Sequence, residues 1–132
     1  MNLKLILIYL ITIASFCRAD SASDDYKNGD YESAALRYQI QAEAGDARSQ
    51  NNLGALYLRG KGVPQNYQKA YELFLKSAGE NFKGAMFNLG IMNLRGYGRA
   101  KNYPEAVTWF RQGAELGDSE AQFFLGVLLS KG

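Results

Sequence analysis

The chain has 132 residues, with 15 Lys and Arg, 13 Asp and Glu, one Cys and no His. This length predicts a single domain. The absence of His excludes Ser-His-Asp and Cys-His catalysis and any imidazole metal ligand. The single Cys excludes an internal disulfide and a thiolate zinc site, and we expect no cofactor.

Residues 1–19 are typical of a secretory signal peptide. Lys4 is followed by an apolar stretch from Leu5 to Ala14 and then by small and polar residues. The apolar stretch is about half as long as the roughly 20 residues that a membrane-spanning helix needs. The sequence therefore predicts a removable leader and no permanent membrane span.

The expected cleavage point follows Ala19, because Ala19 and Cys17 supply small residues one and three positions before it. Cleavage there would remove Lys4 and Arg18 but no acidic residue, and would leave equal numbers of basic and acidic residues. Without an excess of positive charge, we expect no binding to nucleic acid. The predicted location is the periplasm or the medium. Lipid attachment at Cys17 is the alternative, which the bulky Phe16 before it disfavours.

The rest of the chain repeats every 36 residues without a gap. Eight positions recur in the same frame. The recurring residues are Tyr31, Tyr67 and Tyr103; Ala34, Ala70 and Ala106; Tyr38, Phe74 and Phe110; Ala42, Ala78 and Ala114; Leu53, Leu89 and Leu125; Gly54, Gly90 and Gly126; Leu56, Met92 and Leu128; and Gly60, Gly96 and Gly132. Such repetition predicts an array of similar structural units.

Each period contains two amphipathic helical segments. In one type, which we call the second helix, apolar residues recur at intervals of three and four, as in residues 67–78. Asp30, Asn66 and Asn102 precede these segments as expected N-caps. Pro104 is expected in a first helical turn, where its missing N–H costs little.

The other segment, which we call the first helix, carries the recurring Leu-Gly pair. Asp46 and Asp118 are the expected N-caps of two copies. Gly60 and Gly96 are expected to end two copies in the left-handed conformation. The predicted fold class is all-α, with about six helices after the signal peptide.

Gly54, Gly90 and Gly126 lie inside first helices, where glycine is less favourable than alanine by about 1 kcal/mol. We interpret their recurrence as close packing, in which the bare backbone meets a second helix at its small residues Ala70 and Ala106. Contact between a ligand and the bare backbone is the weaker interpretation.

Residues 42–60 and 114–132 share the pattern Ala-x-x-Gly-Asp-x-x-(Ser/Ala)-Gln-x-x-Leu-Gly-x-x-(Tyr/Leu)-x-x-Gly. Together with the Tyr-x-x-Ala segments between them, this pattern resembles the Sel-1-like repeat family, which is related to tetratricopeptide repeats. The middle copy departs from it at Asn81, Phe82 and Met86. Because Asn tolerates a left-handed backbone, we expect the turn at Asn81 to be kept.

The resemblance implies antiparallel helix pairs stacked into a right-handed α-solenoid, which serves as a non-enzymatic scaffold or adaptor for other proteins. Physical reasoning also favours stacking, because one helix pair cannot bury its apolar stripe alone. The predicted domains are a signal peptide at 1–19, an N-terminal segment at 20–29 and a repeat domain at 30–132. Its units are expected at 46–81 and 82–117, between two half units.

The last first helix carries apolar residues that no further repeat covers. These residues are Phe123, Phe124, Leu125, Val127, Leu128 and Leu129. Terminal repeats normally carry a polar cap. Two interpretations remain open: this surface docks on a partner or on a second copy of the chain, or the chain is a truncated form of a longer array.

Resemblance to tetratricopeptide-like superhelices implies a peptide-binding groove along the first helices. The residues beside the Leu-Gly pairs that would line it, here called the candidate groove, are Asn52, Phe87, Asn88, Ile91, Phe123, Phe124 and Val127. The amides of Asn52 and Asn88 would bind a peptide backbone above an apolar floor of Phe87 and Ile91. The alternative is that Asn88 satisfies a neighbouring loop and Phe87 packs between repeats.

Arg59, Arg95 and Lys131 recur at one position, and we call them the basic ladder. An anionic partner is one interpretation. The favoured one is that cations at helix C-termini interact with the helix dipole, for about 0.3–1 kcal/mol each. Trp109 and the recurring tyrosines are expected in the core.

The sequence thus predicts an exported protein that binds a protein or peptide and has no catalytic residues. A hydrolase is the alternative, because some cysteine-rich secreted members of the resembled family are described as penicillin-binding or β-lactamase-like. Those relatives carry a Cys pair in each repeat, which this chain lacks. The chain also contains neither Ser-x-x-Lys nor Gly-x-Ser-x-Gly.

Overall fold

The computed structural model describes residues 2–17 and 21–131, which form eight α-helices and no strand. The helices are α1 (Leu3–Cys17), α2 (Ser21–Lys27), α3 (Tyr31–Glu43), α4 (Ala47–Arg59), α5 (Tyr67–Gly79), α6 (Lys83–Arg95), α7 (Tyr103–Glu115) and α8 (Ser119–Lys131). The all-α fold class is confirmed.

The helices pack antiparallel in chain order. The first helices are α4, α6 and α8, and the second helices are α3, α5 and α7. All six contain 13 residues, and helices of one type start 36 residues apart. The period of the sequence is therefore the period of the structure.

Side-chain caps fix the start of most of these helices. Asp30, Asn66 and Asn102 each accept a hydrogen bond from the backbone N–H three residues later, at 3.2, 3.0 and 3.0 Å. Asp46 and Asp118 do the same at 3.0 and 2.7 Å. All five predicted N-caps are confirmed, and each satisfies one of the free amides of a first turn.

Left-handed residues end the first helices and form the turn before α6. Gly60 and Gly96 follow α4 and α6 with φ of 67° and 72°. Asn81 has φ of 59°, so the turn of the middle copy is kept despite the loss of Gly. Phe82 replaces the capping Asp and makes no side-chain cap.

The recurring helix glycines allow close packing, as predicted, but against a different partner. A Cβ on Gly54 would lie 2.7 Å from Cε1 of Phe74, and one on Gly90 would lie 2.5 Å from Cε1 of Phe110. Around Gly126, no described atom outside its own stretch of helix lies within 4 Å of the Cβ position. The glycines therefore make room for an aromatic ring of the following second helix.

The predicted partner helices, which carry Ala70 and Ala106, are the ones that pack on these glycines, but the predicted contact of backbone with backbone was wrong. Both alanines are fully buried, but each lies one helical turn before the phenylalanine whose ring covers the glycine. The ring, and not a contact between two backbones, fills the space.

Three groups of buried apolar residues form a continuous core along the array. The first joins α2, α3 and α4 around Ala22, Ala34 and Leu53. The second joins α5 and α6 around Phe74 and Leu89. The third joins α7 and α8 around Ala106, Phe110 and Ala121. Each core stacks on the next, as expected for a repeat array.

At the N-terminus, the described side chains of α1 between Leu3 and Ile11 are exposed. No helix in the described ranges combines the length and hydropathy needed to cross a membrane. The predicted cleavage after Ala19 lies outside the described residues, as does Gly132.

Candidate functional site

A hydrogen bond between two asparagines joins the first helices α4 and α6. Nδ2 of Asn88 donates to Oδ1 of Asn51 at 2.8 Å, and both side chains are half-buried. The partner of Asn88 is thus a neighbouring first helix and not a loop. An Asn amide has two N–H groups and two acceptor lone pairs, so Asn88 keeps hydrogen-bonding capacity for a ligand.

Three phenylalanine rings join α6, α7 and α8. The ring centre of Phe87 lies 5.9 Å from that of Phe110 and 5.6 Å from that of Phe124, and the rings of Phe110 and Phe124 stack at 5.4 Å. These separations are typical of favourable aromatic pairs. Ile91 packs against the same cluster. Phe87 therefore packs between repeats while part of its surface stays exposed.

The row of aromatic rings continues to the last helix. The ring of Phe123 lies 5.7 Å from that of Phe124 in an edge-to-face pair, and Phe123 is 67% exposed. Val127 is half-buried on the same helix. The structure thus brings together the candidate groove residues of α6 and α8.

Asn52 of the candidate groove belongs to a polar pocket nearer the N-terminus. The pocket has a volume of about 270 Å³ and is lined by Ser23, Tyr38, Gln41, Asp46, Arg48, Ser49 and Asn52. Burial raises the pKa of the Tyr38 hydroxyl above its ordinary value, and a hydrogen bond with Asn52 partly opposes this increase. The pocket offers hydroxyl, amide and charged groups to a polar ligand.

The basic ladder lies where the sequence placed it. Arg59, Arg95 and Lys131 are in the last turns of α4, α6 and α8 and are exposed. Cations at these positions interact favourably with the helix dipole. They are also free to meet solvent, so the ladder stays a candidate contact for an anionic partner.

A second pocket, which the sequence analysis missed, surrounds Arg99. The guanidinium carbon lies 3.7 Å from the ring centre of Tyr71, and Nη1 donates to Oδ1 of the buried Asn93 at 3.3 Å. The pocket has a volume of about 420 Å³ and is also lined by Ala100, Asn102 and Glu105. The available signal was a cation in the turn after α6 together with a tyrosine in α5, because cations stack on aromatic faces.

The predicted core aromatic residues differ in burial. Trp109 is half-buried against the second core, and its Nε1 is buried without a hydrogen-bond partner. Tyr31 and Tyr67 are half-buried, whereas Tyr103 is exposed. The residues of this surface supply amides, aromatic rings and cations. No group of three or more His, Cys, Asp or Glu in the described residues is arranged to hold a metal ion.

The comparisons with known proteins agree with this architecture. The family model described as Sel1 repeat matches residues 47–82, 84–118 and 119–132. The crystal structure of a Sel1 repeat protein from Oxalobacter formigenes is similar, with a TM-score of 0.81 and 35% identity over 87% of this chain and 47% of that one. The chain thus spans about half the length of this relative. A comparison with curated proteins gave no match.

Two further solved structures are similar. One is a protective antigen present in uropathogenic Escherichia coli strains, which displays the same repeat fold; its TM-score is 0.73 and its identity 35%, over 77% of this chain and 22% of that one. The other is cysteine-rich protein B of Helicobacter pylori, with a TM-score of 0.71 and 22% identity over 92% of this chain and 93% of that one. The last likeness concerns the fold alone. The helix pairs, their period and the family match together show that this chain is a member of the Sel1 repeat family.

Proposed function

We propose that the chain is an exported, non-enzymatic scaffold that binds a protein or peptide along the candidate groove. The observation that carries the proposal is the row of side chains that runs across neighbouring first helices. It begins at the hydrogen bond between Asn51 and Asn88 and continues through Phe87 and Phe124 to Phe123.

This row combines the two kinds of contact that hold a peptide in a groove. Asn88 lies in this row and Asn52 lies beside it in the polar pocket nearer the N-terminus, and the amides of both can exchange hydrogen bonds with a peptide backbone. The half-buried rings of Phe87 and Phe124 offer apolar area, and their packing fixes them before a ligand arrives. A fixed site loses little side-chain entropy on binding. We expect a ligand that is polar near α4 and apolar near α8.

The absence of His from the sequence and the family of the chain favour binding over catalysis. Sel1 repeat proteins are typically non-catalytic scaffolds. The basic ladder adds a second expectation, because its three exposed cations would favour a partner with acidic residues near the helix C-termini. Export rests on residues 1–19 alone, and self-association through α8 would be a further property of the same scaffold.

The groove is tested by selecting peptides from a displayed library against the purified chain and measuring their affinity by fluorescence anisotropy. We expect the double variant Phe87→Ala/Asn88→Ala to weaken binding by at least about tenfold, because it removes an aromatic contact and an amide. Phe87→Leu is the milder variant, which keeps an apolar side chain between the repeats. Circular dichroism must show that each variant keeps its helices.

Leu75→Ala is the matched control, because Leu75 is an exposed apolar residue on the second helix α5. It should leave the affinity unchanged. Unchanged affinity of a folded Phe87→Ala/Asn88→Ala protein would remove this groove from the proposal.

Two further measurements test the other parts of the proposal. Sustained turnover of nitrocefin by the purified chain would contradict the scaffold and support the hydrolase alternative. N-terminal sequencing of the protein recovered from an expressing bacterial culture should begin at Asp20. A protein that keeps Met1 and stays in the cytoplasm would contradict export.

A further inference from the structure

The turn after α6 holds a group of side chains that the preceding copy of the repeat does not have. The guanidinium carbon of Arg99 lies 3.7 Å from the ring centre of Tyr71, and Nη1 donates to Oδ1 of Asn93 at 3.3 Å. The residues 36 positions earlier are Val63, Ala35 and Tyr57. They pack in the first core. The exchange places a cation and an amide where the preceding copy has Val and Tyr.

Asn93 fixes the position of the guanidinium. Asn93 is only 2% exposed, and a buried amide is costly unless its polar groups are hydrogen-bonded. Its Nδ2 donates to the backbone oxygen of Leu89 at 2.9 Å, and its Oδ1 accepts from Arg99. The turn itself is also held, because the N–H of Asn102 donates to the backbone oxygen of Asn93 at 2.9 Å. The guanidinium is therefore oriented by a ring and by a buried amide.

Arg99 keeps most of its hydrogen-bonding capacity. A guanidinium has five N–H donors, and the bond to Asn93 uses one of them. Within the described part of the chain, this guanidinium makes no other hydrogen bond and no ion pair. Arg99 is exposed. It lines a pocket of about 420 Å³, here called the Arg99 pocket, together with Tyr71, Asn93, Ala100, Asn102 and Glu105. An oriented guanidinium with free N–H groups matches a carboxylate, with which it forms two parallel hydrogen bonds.

The charges around the pocket leave Arg99 without a counter-ion. Arg99 lies three residues before Asn102, the N-cap of α7, and a cation near a helix N-terminus is unfavourable. Glu105 lines the same pocket, but it belongs to the first turn of α7, where the helix dipole stabilises its negative charge. Between residues 21 and 131 it forms no ion pair with Arg99. A carboxylate beside Arg99 would supply the missing negative charge.

We infer that the Arg99 pocket binds a carboxylate group of a partner protein. The group is an acidic side chain or the C-terminal carboxylate of the partner, since both present the same two oxygens. The inference rests on the proposed function in one respect, which is that the partner is a protein. The pocket is separate from the candidate groove, because Tyr71 and Glu105 belong to the second helices α5 and α7, whereas the groove follows the first helices.

Nuclear magnetic resonance of the isotope-labelled full chain follows the Nε–H signal of Arg99 during titration at constant ionic strength. One probe is the peptide Ac-Gly-Ser-Glu-Ser-Gly-NH2, in which the only carboxylate is a side chain. The other is Ac-Gly-Ser-Gln-Ser-Gly-OH, in which the only carboxylate is terminal. The blank is the same Gln peptide with an amidated end. We expect a saturable shift of the Arg99 signal with an acidic peptide and none with the blank, and the tighter acidic peptide identifies the source of the carboxylate.

Three variants test the chemistry of the pocket, with the backbone N–H signals of residues 97–102 as the readout. Arg99→Gln should weaken binding by at least about tenfold, because a neutral amide forms no charge-assisted pair. Arg99→Lys keeps the charge but not the planar fork, and should weaken binding by at least about threefold. Glu105→Gln should strengthen binding by about two- to fivefold, because it removes a like charge from the pocket.

Lys101→Gln is the matched control, because Lys101 is an exposed cation of the same turn that does not line the pocket. It makes the same change in charge as Arg99→Gln and should alter the affinity by less than about twofold at physiological salt. Circular dichroism and thermal unfolding establish that each variant is folded. Peptides selected for the candidate groove should bind the Arg99→Gln protein with unchanged affinity, so a failure at one surface is distinguishable from a failure at the other.

Three results would overturn the inference. One is the absence of a saturable shift of the Arg99 signal with both acidic peptides. Another is an affinity of folded Arg99→Gln equal to that of the wild type or to that of Lys101→Gln, since the oriented guanidinium would then not be the binding group. The third is tighter binding of inorganic phosphate than of both acidic peptides, because the pocket would then select a different anion.

Discussion

The ring of Phe110 lies against the backbone of Gly90, with Cε1 2.5 Å from the position that a Cβ would take. The ring is fully buried. Burial of a phenylalanine stabilises a fold by about 1.5–3 kcal/mol, whereas glycine inside a helix costs about 1 kcal/mol relative to alanine. The gain from burying the ring therefore exceeds the cost of placing glycine in the helix. The same pair recurs as Gly54 and Phe74.

We therefore expect Gly90→Ala to lower the free energy of unfolding by about 1–3 kcal/mol, because the new methyl group overpacks the core. The ring cannot move aside easily, since Phe87 and Phe124 pack against it. Urea unfolding followed by circular dichroism measures the change.

Gly126→Ala is the matched control for this prediction. The same position in α8 has open space above it, so alanine should raise the stability by up to about 1 kcal/mol through helix propensity. Equal effects at Gly90 and Gly126 would show that propensity, and not the ring, determines the cost.

The period of 36 residues was sufficient to predict the six helices α3–α8, their caps and their order, whereas α2 lies before the repeating segment and makes seven helices in place of the expected six in residues 21–131. Each helix start combines a cap with an apolar stripe, and both are local properties of the sequence. The residue that packs on the helix glycine belongs to another helix, so local sequence properties do not identify it. Ala70 and Phe74 lie one turn apart on the same stripe of α5, so spacing alone does not tell which of them faces Gly54.

The asparagine pair of the candidate site shows a similar limit. The period aligns Asn51 with Phe87 and Asn52 with Asn88, but the hydrogen bond joins Asn51 to Asn88. The two residues differ by one position in the repeat, because α4 and α6 run parallel and equivalent side chains on parallel helices point in the same direction and do not face each other. Periodicity identifies equivalent positions, but it does not show which non-equivalent positions meet.

The second prediction concerns Asn81, which has φ of 59° where the other copies have Gly45 and Gly117. A left-handed residue with a Cβ costs about 1–2 kcal/mol, and a short polar side chain reduces this cost. Asn81→Gly should therefore leave the stability unchanged or raise it, and Asn81→Ala should lower it by about 1 kcal/mol. Thermal unfolding of the two variants compares them at the same site, and a more stable alanine variant would contradict the prediction.

The third prediction concerns the cap of α7. Asn102 accepts a hydrogen bond from the N–H of Glu105 at 3.0 Å. Asn102→Ala should lower the free energy of unfolding by about 0.5–2 kcal/mol, because that amide loses its partner. Asn102→Asp keeps an acceptor oxygen and should stay within about 0.5 kcal/mol of the wild type. Equal destabilisation of both variants in urea unfolding would show that the loss of the capping hydrogen bond does not account for the lower stability.

The fourth prediction is a pH dependence that arises at Tyr38. Burial raises the pKa of this hydroxyl in the folded chain, so the folded state holds the proton more tightly than the unfolded state. The stability that this group contributes is fully present below the ordinary tyrosine pKa of about 10 and is lost as the pH rises through the folded-state pKa. Tyr38→Phe removes the titrating group and the hydrogen bond with Asn52. It should cost about 0.5–1.5 kcal/mol at pH 7, and its stability should fall less than that of the wild type as the pH rises above about 10. Urea unfolding from neutral to alkaline pH gives the free energy of unfolding of both proteins. If the difference between the two free energies stays constant with pH, burial of Tyr38 does not favour the protonated form.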